Sequence, residues 1–234
     1  NTIKNDDNAT LTIKDGMFSN VTQAVVQNNN IAEISGGTFA SEKESCIQNW
    51  GSIGEITGGT ITAGSIGIWN FSSDTYSSVG KVGNISGGNI SGTTAAIRLN
   101  DYDTVYKDND ENVTKPSETN KASISISAGN FSGALEVGEN TIFTITGGAF
   151  TDIANAVKYA ADGATIKLAD DVNVSSTISV GKSLIVDLNG RNIHGQNGES
   201  GCRVFQVIGG GNLTLTGTGT ISTVAKNDDN FVDT

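Results

Sequence analysis

The sequence predicts an all-β protein built as a parallel β-helix, a solenoid of about 9–10 coils, with one short capping α-helix near residues 152–162. Three observations lead to this prediction. A six-residue phrase returns along residues 1–150, asparagine recurs at a nearly fixed distance after it, and 30 glycines stand against a single proline. Many corners need many glycines, and a narrow coil interior tolerates a hydrophobic content of only 36%.

The repeated phrase begins with an apolar residue, turns at glycine and resumes with a second apolar residue. Its clearest copies start at Ile34, Ile56, Ile85 and Ile145, and looser copies start at Ile13 and Ile126. The shortest steps between copies agree closely, and the two longest steps contain insertions. Such a short period with insertions is typical of a solenoid, whose repeats bury their apolar faces only by stacking on one another.

An asparagine follows the second glycine of five phrases at a distance that varies by a single position: Asn28, Asn49, Asn70, Asn100 and Asn140. We interpret these as an asparagine ladder, in which side-chain amides of successive coils hydrogen-bond along the solenoid axis. The alternative is that asparagine is simply common in turns. Either interpretation gives these residues a structural role.

Two long insertions leave the predicted coils at one corner, after Asn70 and after Asn100. The second runs roughly over residues 101–121 and contains the acidic stretch 108–111, which lacks the spacing of a dedicated calcium loop. Aromatic residues cluster there, and we predict that they form a binding surface: Trp50, Trp69, Phe71, Tyr76, Tyr102 and Tyr106. Alternatively, the loops fold over these rings and bury them as a local satellite core.

The pattern changes at residue 151. Thr151-Asp152 offers a helix start, apolar residues follow at helical spacing until Gly163, and strand-like pieces come after it. We expect the helix to be a lid over an open end of the first stack, so that residues 151–234 form a second helix-capped segment. Residues 226–230 repeat the sequence of residues 4–8. This repeat favours the interpretation that the chain is about one period of a larger tandem array. The alternative is that the short polar match is a coincidence.

Three stretches of the second segment resemble part of a known structural class. The stretches 152–157, 162–168 and 184–190 resemble the capping start of right-handed parallel β-helices of the pectate-lyase-like class. Such segments occur in large repeat-containing surface proteins and adhesins of Gram-positive gut bacteria. The resemblance implies a right-handed coil, an extracellular, cell-surface or secreted location, and host mucin, immunoglobulin or glycan as the partner, beside neighbouring repeats of the same parent chain.

Charge and cysteine content exclude some classes. A net charge of −11 with scattered basic residues argues against nucleic acid and anionic membranes, and no apolar stretch is long enough to insert in a membrane. Cys46 and Cys202 lie far apart and are expected to be unpaired, buried and too few for zinc. We therefore predict neither a cofactor nor a metal.

Few features of the sequence indicate a catalytic centre. Asp170 and Asp171, with His194 and Arg191, faintly resemble the carboxylate and basic residues of polysaccharide-cleaving β-helices, but the aspartates are explained more simply as strand ends. We therefore expect a non-catalytic surface or secreted module that binds a host protein or glycan, with host immunoglobulin as one candidate. The alternatives are a polysaccharide lyase or glycoside hydrolase, and a purely structural stalk.

Overall fold

The computed structural model describes residues 1–73, 77–101, 120–195 and 203–223. Within these residues the chain forms 24 strands and one α-helix, and the strands pair in parallel with a single antiparallel exception. The protein is therefore an all-β parallel β-helix, as predicted. Each coil carries three strands, so that the strands of successive coils stack into three faces.

Face A begins with the strands β1 (Ile3–Asn5), β4 (Val26–Asn28), β7 (Ile47–Asn49) and β10 (Ile66–Ser73), and continues in the second halves of β13 (Asn89–Asp101) and β15 (Asn130–Val137). Face B contains β2 (Thr10–Ile13), β5 (Ile31–Ile34), β8 (Ser52–Ile56), β12 (Lys81–Ile85), β14 (Ser123–Ile126) and the first half of β16 (Ile142–Phe150).

Face C is the longest. It contains β3 (Met17–Asn20), β6 (Thr38–Ser41), β9 (Thr60–Ala63), parts of β13, β15 and β16, and then β17 (Ala160–Leu168), β20 (Ser183–Asp187) and β23 (Asn212–Thr216). Three further strands pair in the order β18 (Val172–Val174), β21 (Ile193–Gly195), β24 (Ile221–Thr223). Another two, β19 (Ile178–Val180) and β22 (Phe205–Val207), pair with each other, and β11 (Ser78–Val79) folds back on β10.

The glycine pair of the repeated phrase forms the corner between faces B and C. Gly37, Gly59 and Gly88 have φ values of +99°, +98° and +95°, a region that side chains rarely adopt. A Cβ atom on Gly59 would lie 2.9 Å from the carbonyl oxygen of Gly37 in the preceding coil. Glycine is therefore needed both for the turn and for the close stacking of the coils.

The interior consists of files of one side chain per coil. Ile34, Ile56 and Ile85 are each no more than 1% exposed and lie in register at the end of face B. A second file, on face C, contains Phe131 and Phe150, whose rings stack with centroids 4.9 Å apart. Burial of such side chains contributes about 1.5–3 kcal/mol each, which makes these files the main source of stability.

The helix α1 (Ile153–Tyr159) begins after Asp152, whose side chain accepts a hydrogen bond from the backbone N–H of Asn155. It buries Ile153, Ala156 and Val157 against β15, β16, β17 and β19. The expectation of a lid over an open end is therefore wrong, because strands lie on both sides of the helix. Face C passes α1 without interruption and joins residues 1–150 to the second segment in one sheet.

Among the described residues, no helix has the length and apolar character needed to span a membrane.

Candidate binding groove beside the asparagine ladder

An asparagine ladder runs along the corner that follows face A. The amide Nδ2 of Asn5 donates to Oδ1 of Asn28 at 2.7 Å, Asn28 donates to Asn49 at 2.7 Å, and Asn49 donates to Asn70 at 2.6 Å. Asn28, Asn49 and Asn70 are fully buried. Their Nδ2 groups also donate to turn carbonyl oxygens, for example from Asn49 to Gly51 at 3.0 Å. The ladder therefore fixes both the spacing of the coils and the shape of the corner.

Two of the predicted ladder residues do not belong to it. Leu99 pairs with Asn70, so Asn100 lies one position further, opposite Phe71. There its Oδ1 accepts a hydrogen bond of 2.6 Å from Nε1 of Trp69. Asn140 is an exposed turn residue with a φ of +56°. The ladder instead begins one coil earlier than expected, at Asn5, which precedes the first copy of the repeated phrase.

The aromatic residues divide into buried and half-exposed rings. Trp69 is 9% and Phe71 is 1% exposed, and they form a satellite core with Ile66 and Ala95. These two rings were predicted to belong to a binding surface; that prediction is wrong for them, because both are buried in this satellite core, which was the alternative interpretation. Trp50 remains half-buried, with its ring centroid 3.8 Å from that of Phe71. Tyr76, Tyr102 and Tyr106 lie outside the described residues.

The insertion after Asn70 begins as an extension of β10 and returns as β11. Ser72 pairs with Val79 in this hairpin, and the backbone N–H of Gly80 donates to the carbonyl oxygen of Phe71 at 3.0 Å. A Cβ atom on Gly80 would lie within 2.7 Å of Oδ1 of Asn70, so the returning chain is pressed against the ladder. The hairpin therefore forms a fixed wall at this corner.

A groove of about 890 Å³ lies between this wall and the corner of the earlier coils. Its lining includes Asp7, Asn29, Asn30, Trp50, Ser52 and Lys81. Nδ2 of Asn30 donates to the carbonyl oxygen of Ala9 at 2.8 Å, and Nδ2 of Asn29 donates to Oδ1 of Asp6 at 3.1 Å. These bonds hold the two amides in place. The groove thus combines one half-exposed indole ring with a rigid, mainly uncharged polar surface.

Cys46 is free and completely buried, and burial raises the pKa of its thiol to about 12. A thiol with such a pKa is inert at neutral pH, since the thiolate is the reactive form. Cys202 lies outside the described residues.

The candidate catalytic residues of the second segment hold neighbouring coils together. Arg191 forms an ion pair with Asp170 at 3.2 Å. Asp171 accepts hydrogen bonds from the backbone N–H and Nδ2 of Asn192, and the backbone bond is the main reason why the pKa of Asp171 lies below its ordinary value. His194 Nδ1 and the Ser222 hydroxyl are hydrogen-bonded at 2.8 Å across coils. Within the described residues, no group of three or more His, Cys, Asp or Glu side chains is placed to hold a metal ion.

The fold and this corner define a parallel β-helix protein with a side groove. Comparison with protein-family models, with characterised proteins and with solved structures finds no match to the chain.

Proposed function

We propose that the chain is a non-catalytic repeat module of a bacterial cell-surface or secreted protein, and that it binds a host protein or glycan at the groove beside Trp50. The observation that carries this proposal is the partly exposed indole ring of Trp50 in the lining of a groove of about 890 Å³. Ligand sites commonly have volumes of about 300–1,000 Å³ and a few fixed polar groups. Mucin and immunoglobulin as candidate ligands, and the extracellular location, rest on the sequence resemblance described above.

The scaffold around the groove favours binding. The corner is held by buried amide hydrogen bonds and by the hairpin that ends at Gly80, so the groove is formed before any ligand arrives. A rigid site loses little conformational entropy on binding. Trp50 offers the large, stiff anchor that typically dominates binding energy.

The test compares the unmodified chain with Trp50→Ala for binding to purified intestinal mucin and to purified secretory immunoglobulin. We expect one of them to bind, and the substitution to weaken that binding at least about tenfold, a typical effect for a buried aromatic anchor. Tyr159→Ala is the matched control, because Tyr159 is another half-buried aromatic residue beside a different depression.

Circular dichroism and thermal unfolding would show that both variants are folded. Binding that Trp50→Ala leaves unchanged would contradict the proposed site, and the failure of both ligands to bind would exclude mucin and immunoglobulin as the partners.

A spacing role has separate support. Face C pairs strand to strand from β3 to β23, which gives the molecule an unbroken sheet along its length. Such a rod could separate a surface array from the cell wall whether or not the groove is occupied. If no ligand binds, the stalk is the function that remains.

A further inference from the structure

The groove follows the axis of the solenoid. Its lining residues come from four successive coils: Asp7 follows β1, Asn30 follows β4, Ser52 begins β8, and Lys81 begins β12. Ser52 is in register with Ile31 on one side and with Lys81 on the other. Since neighbouring strands lie about 4.8 Å apart, the groove spans about 15 Å. A linear ligand parallel to the axis would meet a new set of side chains at each coil.

The backbone of this corner offers little to an extended peptide. The N–H groups of Trp50 and Gly51 both donate to the carbonyl oxygen of Asn28, and that of Ser52 donates to Asn30. These bonds join one coil to the next, so the corner lacks the open row of backbone groups that strand addition requires. Recognition must therefore come from the side chains.

Those side chains suit hydroxyl groups. Asn29 and Asn30 each use one amide N–H within the protein, and the oxygen of Asn29 accepts from Gln27, but an amide has two N–H groups and an oxygen with two lone pairs, and the hydroxyl of Ser52 can donate or accept. A sugar ring presents hydroxyl groups around its edge and apolar C–H groups on its face. Trp50 supplies the apolar surface that such a face needs, while the amides on the adjacent coil are within reach of the edge.

The charges of the protein disfavour acidic oligosaccharides as ligands. Asp7 and Lys81 belong to the first and the fourth coil of the groove, so the two opposite charges stand at its two ends and leave its centre uncharged. The whole chain carries a net charge of −11, which repels anionic polymers over distances of about 10 Å at moderate salt.

We infer that the groove binds an uncharged oligosaccharide chain that lies along the solenoid axis, with about one sugar unit for each coil and one ring packed on Trp50. This inference rests on the proposed binding function and names its ligand class. It implies that about four sugar units fill the groove.

The experiment is isothermal titration calorimetry with neutral oligosaccharides of two to six units, in three series: β-linked glucose, β-linked N-acetylglucosamine and α-linked glucose. We expect at least one series to bind, with an affinity that rises up to about four units and then levels off. Trp50→Ala should weaken binding at least about tenfold, and Tyr159→Ala should leave it unchanged.

A second variant keeps the test valid if Trp50→Ala disturbs Phe71. Ser52 is exposed at the start of β8, so Ser52→Gln places a longer side chain in the groove without altering the core. It should also weaken binding severalfold. Galacturonic acid oligomers of the same lengths should bind more weakly than the neutral series.

The outcomes separate the two proposals. Binding of mucin or immunoglobulin that depends on Trp50, but survives enzymatic removal of their glycans, would overturn the glycan inference and leave the binding function standing. Tighter binding of the acidic oligomers, or binding of none of the three neutral series, would also overturn it. Loss of every interaction, with glycans and proteins alike, would remove both proposals.

Discussion

Residues 1–150 and the segment after α1 form the same kind of coil with different polar groups. In the earlier coils, buried amides hydrogen-bond to one another, and Asn28, Asn49 and Asn70 are completely buried. In the later coils, exposed carboxylates bridge the corners, as Asp171 does to Asn192 and Asp162 to the backbone N–H of Ser183. The amides cannot be replaced without leaving buried groups unpaired, whereas the carboxylates remain in water and tolerate change.

The two regions also differ in how completely their interiors are covered. Phe39 is fully buried between coils on both sides. Leu215 lies in register with Val186, which is fully buried, yet Leu215 is 47% exposed because β23 is the last strand of face C in the described chain. The comparison shows that an inward-facing side chain with a paired strand on one side only can remain much more exposed than one between two coils.

The largest expected effect tests this difference in coverage. Phe39→Ala should lower the free energy of unfolding by about 3–5 kcal/mol, because it leaves a cavity between stacked coils. Leu215→Ala should lower it by less than about 1 kcal/mol, since much of that side chain is already in water. Urea unfolding followed by circular dichroism would measure both. Equal losses at the two positions would contradict the comparison.

The next effect tests the buried amides. Asn49→Ala removes the donor to Asn70, Gly51 and Lys81 and the acceptor for Asn28, so we expect a loss of about 2–4 kcal/mol. Asn173→Ala is the matched control, because Asn173 is the exposed middle residue of β18 in the later coils. It should change the free energy of unfolding by no more than about 0.5 kcal/mol. A loss at Asn173 as large as that at Asn49 would show that burial does not explain the ladder's contribution.

The smallest effect concerns pH. The pKa of Asp171 is lowered in the folded state, so its contribution to stability is complete above the ordinary value of 3.8 and is lost as the pH falls through the lower folded pKa. Amides do not titrate in this range. Hydrogen exchange at about pH 6 and pH 3, corrected for the intrinsic rates, should therefore show protection falling more in residues 172–195 than in residues 26–49.

Two comparisons complete that measurement. Asp171→Asn should reduce the pH dependence of the later coils. Asp6 in the first coil also has a lowered pKa, chiefly because Lys4 hydrogen-bonds to it, so the first turn should respond to acid while the ladder strands do not. A uniform loss of protection along the chain would contradict the assignment of acid sensitivity to the corner carboxylates.

The sequence predicts the coil well because its corners need a particular residue. The glycine pairs stand at a positive φ and in contact with the preceding coil, so the repeated phrase marks one corner of each coil wherever it occurs. The start of α1 was equally predictable, since Asp152 is a strong helix cap. The position of α1 inside the stack was not, because an apolar helical face does not show whether one or two layers of strands will cover it.

The ladder was predictable only in part. The offset of the asparagines from the glycine pair varies by one position, and a shift of one position in a strand moves a side chain to the opposite face. Asn100 has the same offset as Asn28 and Asn49, but Asn70 stands one position nearer to its glycine pair, and Leu99 rather than Asn100 pairs with Asn70, so Asn100 is out of the file. Asn5 precedes the first phrase, yet counting back about one period from Asn28 would have found it.

The candidate site depended on where the insertions return. Trp50, Trp69 and Phe71 look alike in the sequence, as aromatic residues beside a ladder asparagine. In the folded chain Trp69 and Phe71 are buried in one cluster with Ile66 and Ala95, and Nε1 of Trp69 donates to Asn100, whereas Trp50 stays partly exposed. These contacts join residues far apart in the chain, and no local pattern encodes them.

The position of α1 also has a mechanical consequence. Beside the helix, within the described residues, strand pairing passes along the solenoid mainly on face C and on face B only between Ile145 and Ala160, while Ile153, Ala156 and Val157 of the helix pack against the neighbouring strands. One continuous sheet, face C, therefore connects the two parts of the solenoid. Side-chain packing is short-ranged and yields sooner than a hydrogen-bonded sheet, so we expect the solenoid to be most compliant at α1 and to bend there about face C. Force along the axis would be carried past this point mainly by a single sheet.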